Sequence, residues 1–129
     1  MGKDSLFGNE PSSKFLKVLK EHGEVYTNPK ILKQNVENHF RKVEQATAQN
    51  EFINVNLAKE IKDVCMALIS YYDNANNNEK RYINATINYF TTSDDEEEDF
   101  FSPIGFDDDA EIVNECLELI GKENLRIDI

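Results

Sequence analysis

Long apolar runs are missing from this sequence: none reaches the ~18 residues that a membrane-crossing helix needs, so no membrane span is expected. No secretory leader pattern opens the chain. Met1-Gly2 would suit N-myristoylation, but that signal requires Ser or Thr where Leu6 stands. A cytoplasmic location is the expectation. Tryptophan is absent, which leaves 8 Phe and 5 Tyr to supply the aromatic packing. Cysteine is limited to Cys65 and Cys116. Each falls inside an apolar helical pattern, where a free thiol acts as a small hydrophobe. Both are expected as buried thiols in a reducing compartment, not as a disulfide. There is no glycine-rich phosphate loop and no cysteine–histidine zinc pattern. Hairpin signals, internal repeats and long linkers are missing too.

Cations are scarce where acids are dense. The 129 residues hold 14 Lys/Arg and 25 Asp/Glu, a net charge of −11. Residues 1–81 carry 12 Lys/Arg against 11 Asp/Glu, a balance of +1, whereas residues 82–129 carry 2 against 14, a balance of −12. Such a field disfavours nucleic acid and anionic lipid and favours a basic protein partner or cations. No nucleic-acid binding is expected. The length suits one domain with enough core to fold without a metal or disulfide.

The apolar residues recur at helical spacing. After a flexible end at residues 1–10, Pro11 and Ser12 open a first helix that Gly23 closes, with Phe15, Leu16 and Leu19 on one face. Asn28 and Pro29 supply the cap and first position of a second, whose stripe is Ile31, Leu32, Val36, Phe40 and Val43. A third carries Leu57, Ile61, Val64, Leu68 and Tyr71 or Tyr72, widened by Cys65, Ala67 and Ile69. Being apolar on most sides, it is expected at the centre. "DNANNN" breaks the pattern. In "EKRYINATINYF", Ile83, Ile87 and Phe90 mark a short fourth helix, although the β-branched residues leave a strand open. A fifth uses Ile112 or Val113, Cys116, Leu117 and Ile120 and ends at Gly121. The expected fold is an all-α, single-domain bundle of about five helices over residues 11–129, with an acidic loop at 91–107.

That loop places nine carboxylates in the sixteen residues from Asp94 to Asp109. A calcium-binding EF-hand needs glycine at its sixth position and glutamate at its twelfth. Counting from Asp94 gives Asp99 and Gly105, and counting from Asp99 puts Ala110 twelfth, so the motif fails. One of Asp107, Asp108 and Asp109 is expected to cap the last helix. Six adjacent acids, Asp94–Asp99, suit a solvated loop or an interaction surface. Phe100, Phe101 and Ile104 would anchor that loop to the core.

Tyr89-Phe90, Asp95, Asp99, Gly105-Phe106 and Asp108-Asp109-Ala110 lie at a spacing that resembles the signature of the YkvA-like bacterial family of unknown function. That signature runs Tyr-Phe, Pro-x-Asp-x-x-Pro-Asp, a further x-x-Pro, then Gly-Phe-x-Asp-Asp-Ala. The match needs no gap from Tyr89 to Ala110, 22 of the 129 residues, and with the apolar helices that flank the signature the resemblance covers about a third of the chain. The family's three prolines fall on Ser93, Glu98 and Ser102, and Pro103 stands one place late. The resemblance implies a small helical domain in which Asp95, Asp99, Asp108 and Asp109 are architectural, held in turns and caps. It implies no reaction, substrate or cofactor. Asp94, Glu96, Glu97, Glu98 and Asp107 are then additions particular to this chain, expected to face solvent and dock a basic partner.

Catalytic constellations are hard to find. His22, next to a helix-ending glycine, and His39, beside Phe40, read as structural. No Ser, Cys or Lys has an evident activating partner. A general acid needs a carboxyl shielded from water, and a run of exposed acids does not provide one. The expected function is therefore a non-enzymatic interaction module without a cofactor. Two rivals are an immunity-type inhibitor of a basic nuclease toxin, and a metal-binding protein or metal-dependent hydrolase built on Asp95, Asp99, Asp108 and Asp109.

Overall fold

A computed structural model describes residues 10–24, 26–48, 54–91 and 106–128. Regular structure among the described residues is all helical, in a single-domain bundle. The helices are α1 (Ser13–His22), α2 (Pro29–Thr47), α3 (Val55–Tyr71), α4 (Asn77–Thr91) and α5 (Asp107–Leu119). Short 3-10 turns follow α3 at Tyr72–Asn74 and α5 at Glu123–Leu125. Of the flexible end expected at residues 1–10, residues 1–9 lie outside the described residues. So does the segment 92–105, with Asp94, Asp95, Glu96, Glu97, Glu98, Asp99, Phe100, Phe101, Ile104 and Gly105.

The helix starts follow local chemistry. The Ser12 hydroxyl accepts the Phe15 N–H at 3.1 Å, and the Asn28 side chain accepts that of Lys30 at 2.8 Å with Pro29 in the first turn. At α4, Asn76 and Glu79 form a reciprocal capping box. The Asn76 N–H donates to Glu79 Oε1 at 3.0 Å, and the Glu79 N–H donates to Asn76 Oδ1 at 2.9 Å. Tyr71 adds its hydroxyl to the same Glu79 oxygen at 2.9 Å, fastening the end of α3 to the start of α4.

The helix α5 ends in a Schellman motif. The Lys122 N–H bonds to Leu117 O at 2.7 Å and the Gly121 N–H to Glu118 O at 3.3 Å, with Gly121 at φ +76°. A Cβ at Gly121 would meet nothing within 4 Å, so a substitution there strains only the backbone. Gly121→Ala is expected to lower stability by about 1 kcal/mol, and Gly121→Asn by about half as much, in urea unfolding. Equal stability for all three would mean that the turn adopts another conformation.

Two stripes run differently from the expectation. In α1 the buried face is Phe15, Val18 and Leu19, and Leu16 is 52% exposed. In α2, Ile31 is 48% exposed, and His39 joins Leu32, Val36, Phe40 and Val43 inside. At the end of α3, Tyr72 is buried and Tyr71 half-buried, while Ala67 and Ile69 are only half-buried. The central helix is α4, not α3. It packs against each of the other four, and five consecutive residues, Ile83–Ile87, are buried. It is a helix of 15 residues, which closes the strand alternative.

Its burial is possible because its polar side chains bind distant backbone. Asn84 Oδ1 accepts the Thr27 N–H at 3.0 Å, and Asn88 Nδ2 donates to His22 O at 3.3 Å. These bonds tie the α1–α2 connection to the middle of α4. The end of α1 comes close to α4, since a Cβ on Gly23 would lie 2.8 Å from Leu19 O and 3.2 Å from Ala85 Cβ. Cys65 and Cys116 are buried free thiols, as expected, and burial pushes Cys116 up to about 12.

Candidate functional site

The acids of residues 82–129 enter the described structure just after Phe106. No aspartate caps α5. Phe106 occupies the capping position without a side-chain bond, and Asp107, Asp108 and Asp109 form the first turn. Phe106 is almost fully buried, with its ring 6.5 Å from that of Phe90. Burying a phenylalanine outweighs the roughly 1 kcal/mol that a side-chain cap contributes, which explains the shifted start. Three carboxylates at the positive end of the helix still complement its dipole.

The three aspartates have different surroundings. Asp107 and Asp108 are exposed, whereas Asp109 is buried. Lys14 Nζ reaches Asp108 Oδ1 at 2.9 Å and Glu111 Oε2 at 2.8 Å. The two carboxylates hold the Lys14 ammonium well above the usual lysine range, Glu111 contributing most. Asp108, expected in a turn or cap, therefore bridges α5 to α1 from the surface. Among the described residues, no three His, Cys, Asp or Glu side chains converge as metal ligands. Of the candidate metal residues, Asp108 and Asp109 diverge between solvent and interior. Asp95 and Asp99 lie outside the described residues.

Further along α5, Glu111, Glu115 and Glu118 continue the row begun by Asp108 at intervals of three and four, so they share one helix face. Glu115 receives the Ser12 N–H on Oε2 and the Ser12 hydroxyl on Oε1, both at 2.6 Å. Glu118 faces Arg126 at a looser 3.8 Å. A cleft of about 370 Å³ opens between the start of α1 and this face. Glu10, Glu111, Glu115 and Glu118 line it against a single cation, Arg126.

Other residues singled out in the sequence pack against neighbouring helices. Tyr89 meets the His22 ring edge-on at 5.6 Å, and Phe90 meets His39 at 4.7 Å. Ala110 is fully buried. His39 is buried, and its pKa is lowered to about 4 by burial and then by Lys42.

Sequence reasoning missed Asn114. Its amide donates to Ile127 O at 2.9 Å and its oxygen accepts the Ile127 N–H at 2.7 Å, all inside the core. The signal was a lone asparagine between Ala110 and Leu117 on the apolar side of the helix. Comparison with protein-family models, with curated proteins and with solved structures returns no match.

Proposed function

We propose that this protein is a non-enzymatic helical module that docks a basic protein segment on its acidic surface. The observation that supports the reading is the α5 cleft, lined by four carboxylates and one guanidinium, with the Lys14 ammonium bonded to Glu111. Asp108 and Glu111 already hold an ammonium, that of Lys14, so this face accommodates the cation that a partner would bring. The sequence places six further carboxylates, Asp94–Asp99, shortly before the same helix. Charge of one sign at this density speeds encounter with a basic partner and selects against acidic ones. A basic nuclease toxin is one partner of that chemistry. In this reading, as the likeness to the YkvA-like family implies, Asp95 and Asp99 serve the architecture. Asp94, Glu96, Glu97, Glu98 and Asp107 supply the attraction.

A lysine-rich peptide titrated calorimetrically at low ionic strength tests this directly. Replacing those five residues together by Asn or Gln is expected to weaken binding at least about tenfold. An affinity that survives the five replacements unchanged rejects the reading. Raising the salt to about 0.5 M should abolish most of the binding to the parent protein, since the Debye length then falls to a few ångströms.

A further inference from the structure

The start of α1 lies across the acidic face of α5 and takes up most of its acceptors. Ser12 gives Glu115 two bonds, its N–H to Oε2 and its hydroxyl to Oε1, both at 2.6 Å. Two residues on, Lys14 divides its ammonium between Asp108 Oδ1 at 2.9 Å and Glu111 Oε2 at 2.8 Å. Of the row Asp108, Glu111, Glu115 and Glu118, the first three are thus bonded to α1. Glu118 has only the looser contact with Arg126 at 3.8 Å among the ion pairs of the described residues. Lys14 stands where the lysine of a basic partner would stand, and it is part of the same chain.

This contact can open without unfolding α1. The Lys14 side chain is 44% exposed, and those of Asp108 and Glu111 are 68% and 53% exposed. Exposed ion pairs of this kind contribute little net stability, because water and salt compete for both charges. The seat of α1 is elsewhere. Phe15, Val18 and Leu19 are buried, and the Phe15 ring meets Tyr82 of α4 edge-on at 5.8 Å. The Ser12 hydroxyl also accepts the Phe15 N–H, so the helix keeps its cap when the bond to Glu115 is lost. Exchanging one set of donors for another therefore needs adjustment only around Ser12 and Lys14, with α1 still packed on α4.

We propose that the first turn of α1 is an internal competitor for the acidic face, which a basic segment must displace in order to bind. Incoming lysine or arginine side chains take over Asp108, Glu111 and Glu115, while the Lys14 ammonium and the Ser12 donors pass to water. The apparent Kd then rises in inverse proportion to the fraction of molecules whose face stands open. A lone cation gains no more than the Lys14 contact it replaces, so the face favours segments that bring several. The inference rests on docking at the α5 face and adds the device that limits it.

An oligolysine peptide titrated calorimetrically against the full chain at low ionic strength, with amide resonances followed in parallel, tests the proposal. Lys17→Gln is the reference, since Lys17 is exposed on the same helix and its loss changes the net charge equally. Lys14→Gln is expected to bind the peptide about threefold more tightly than Lys17→Gln. In the parent protein, the Ser12 amide proton should move upfield at saturation as its bond to Glu115 opens. Lys14→Gln binding no more tightly than Lys17→Gln would overturn the competitor and leave docking intact. So would a Ser12 amide that stays in place while Glu115–Glu118 shift. Absence of binding by both the parent and Lys14→Gln at peptide concentrations of about 1 mM would remove the docking reading, and the competitor with it.

Discussion

Replacing Asn114 with leucine is expected to destabilise the fold by about 2–5 kcal/mol, although leucine has the same branching and is better suited to a helix interior. The reason lies in the C-terminal segment. Ile127 is buried, and its N–H and C=O find their partners in the Asn114 side chain at 2.7 and 2.9 Å. An extended residue outside a helix has no intrasegment acceptor, so removing the amide leaves two buried backbone groups unpaired. Each such group costs about 1–3 kcal/mol. Urea unfolding of Asn114→Leu measures the sum, and amide exchange at Ile127 should accelerate more than exchange in α4. A loss below about 1 kcal/mol would show that the segment pairs otherwise.

The second large effect is on acid stability. His39 is buried, with a folded pKa of about 4 against an ordinary value of 6.5. Burial lowers it first, and Lys42 adds repulsion of the charged form. Between these two values the unfolded chain binds the proton and the folded chain does not. Stability linked to His39 is therefore fully present above pH 6.5 and is lost as the pH falls towards 4. A difference of this size corresponds to at most about 3 kcal/mol. Carboxylate protonation also acts in that range, so the comparison must be with a variant that keeps the carboxylates. His39→Met removes the titrating group while retaining an apolar partner for Phe90. The parent should lose about 2–3 kcal/mol more than His39→Met between pH 6.5 and 4. Parallel pH profiles would show that the folded protein accepts the proton on His39.

Much of the fold was legible because helix ends are written locally. Ser12, Asn28 with Pro29, and Gly121 act as the sequence indicates, through bonds spanning two to five residues. The central position of α4 was not legible. Asn84, Thr86 and Asn88 make its sequence look half-polar, and two of these side chains are satisfied by residues some sixty positions away. Pattern alone cannot see that compensation, so the more apolar α3 looked central instead. Leu16 and Ile31 lie near helix starts, where one apolar face is compatible with more than one rotation. The neighbouring helices selected Val18 and Leu32.

The site was legible in charge and not in geometry. The acid count pointed to the loop before the last helix and not to Glu111, Glu115 and Glu118 along it, and the expectation that an aspartate caps that helix failed at Phe106. Burial of that ring against Phe90 fixes the helix start and moves all three aspartates into the first turn. The cleft formed with Ser12 and Glu10 depends on a contact across more than a hundred residues.

Docking of a basic segment on the acidic surface is tested most directly by mapping where such a segment lands. Amide shifts of the full chain with a lysine-rich peptide at low ionic strength should concentrate in Asp94–Asp99 and along Asp107–Glu118, and should leave Asn77–Asn84 in place. Saturable shifts centred elsewhere, or none at peptide concentrations of about 1 mM, would contradict the account.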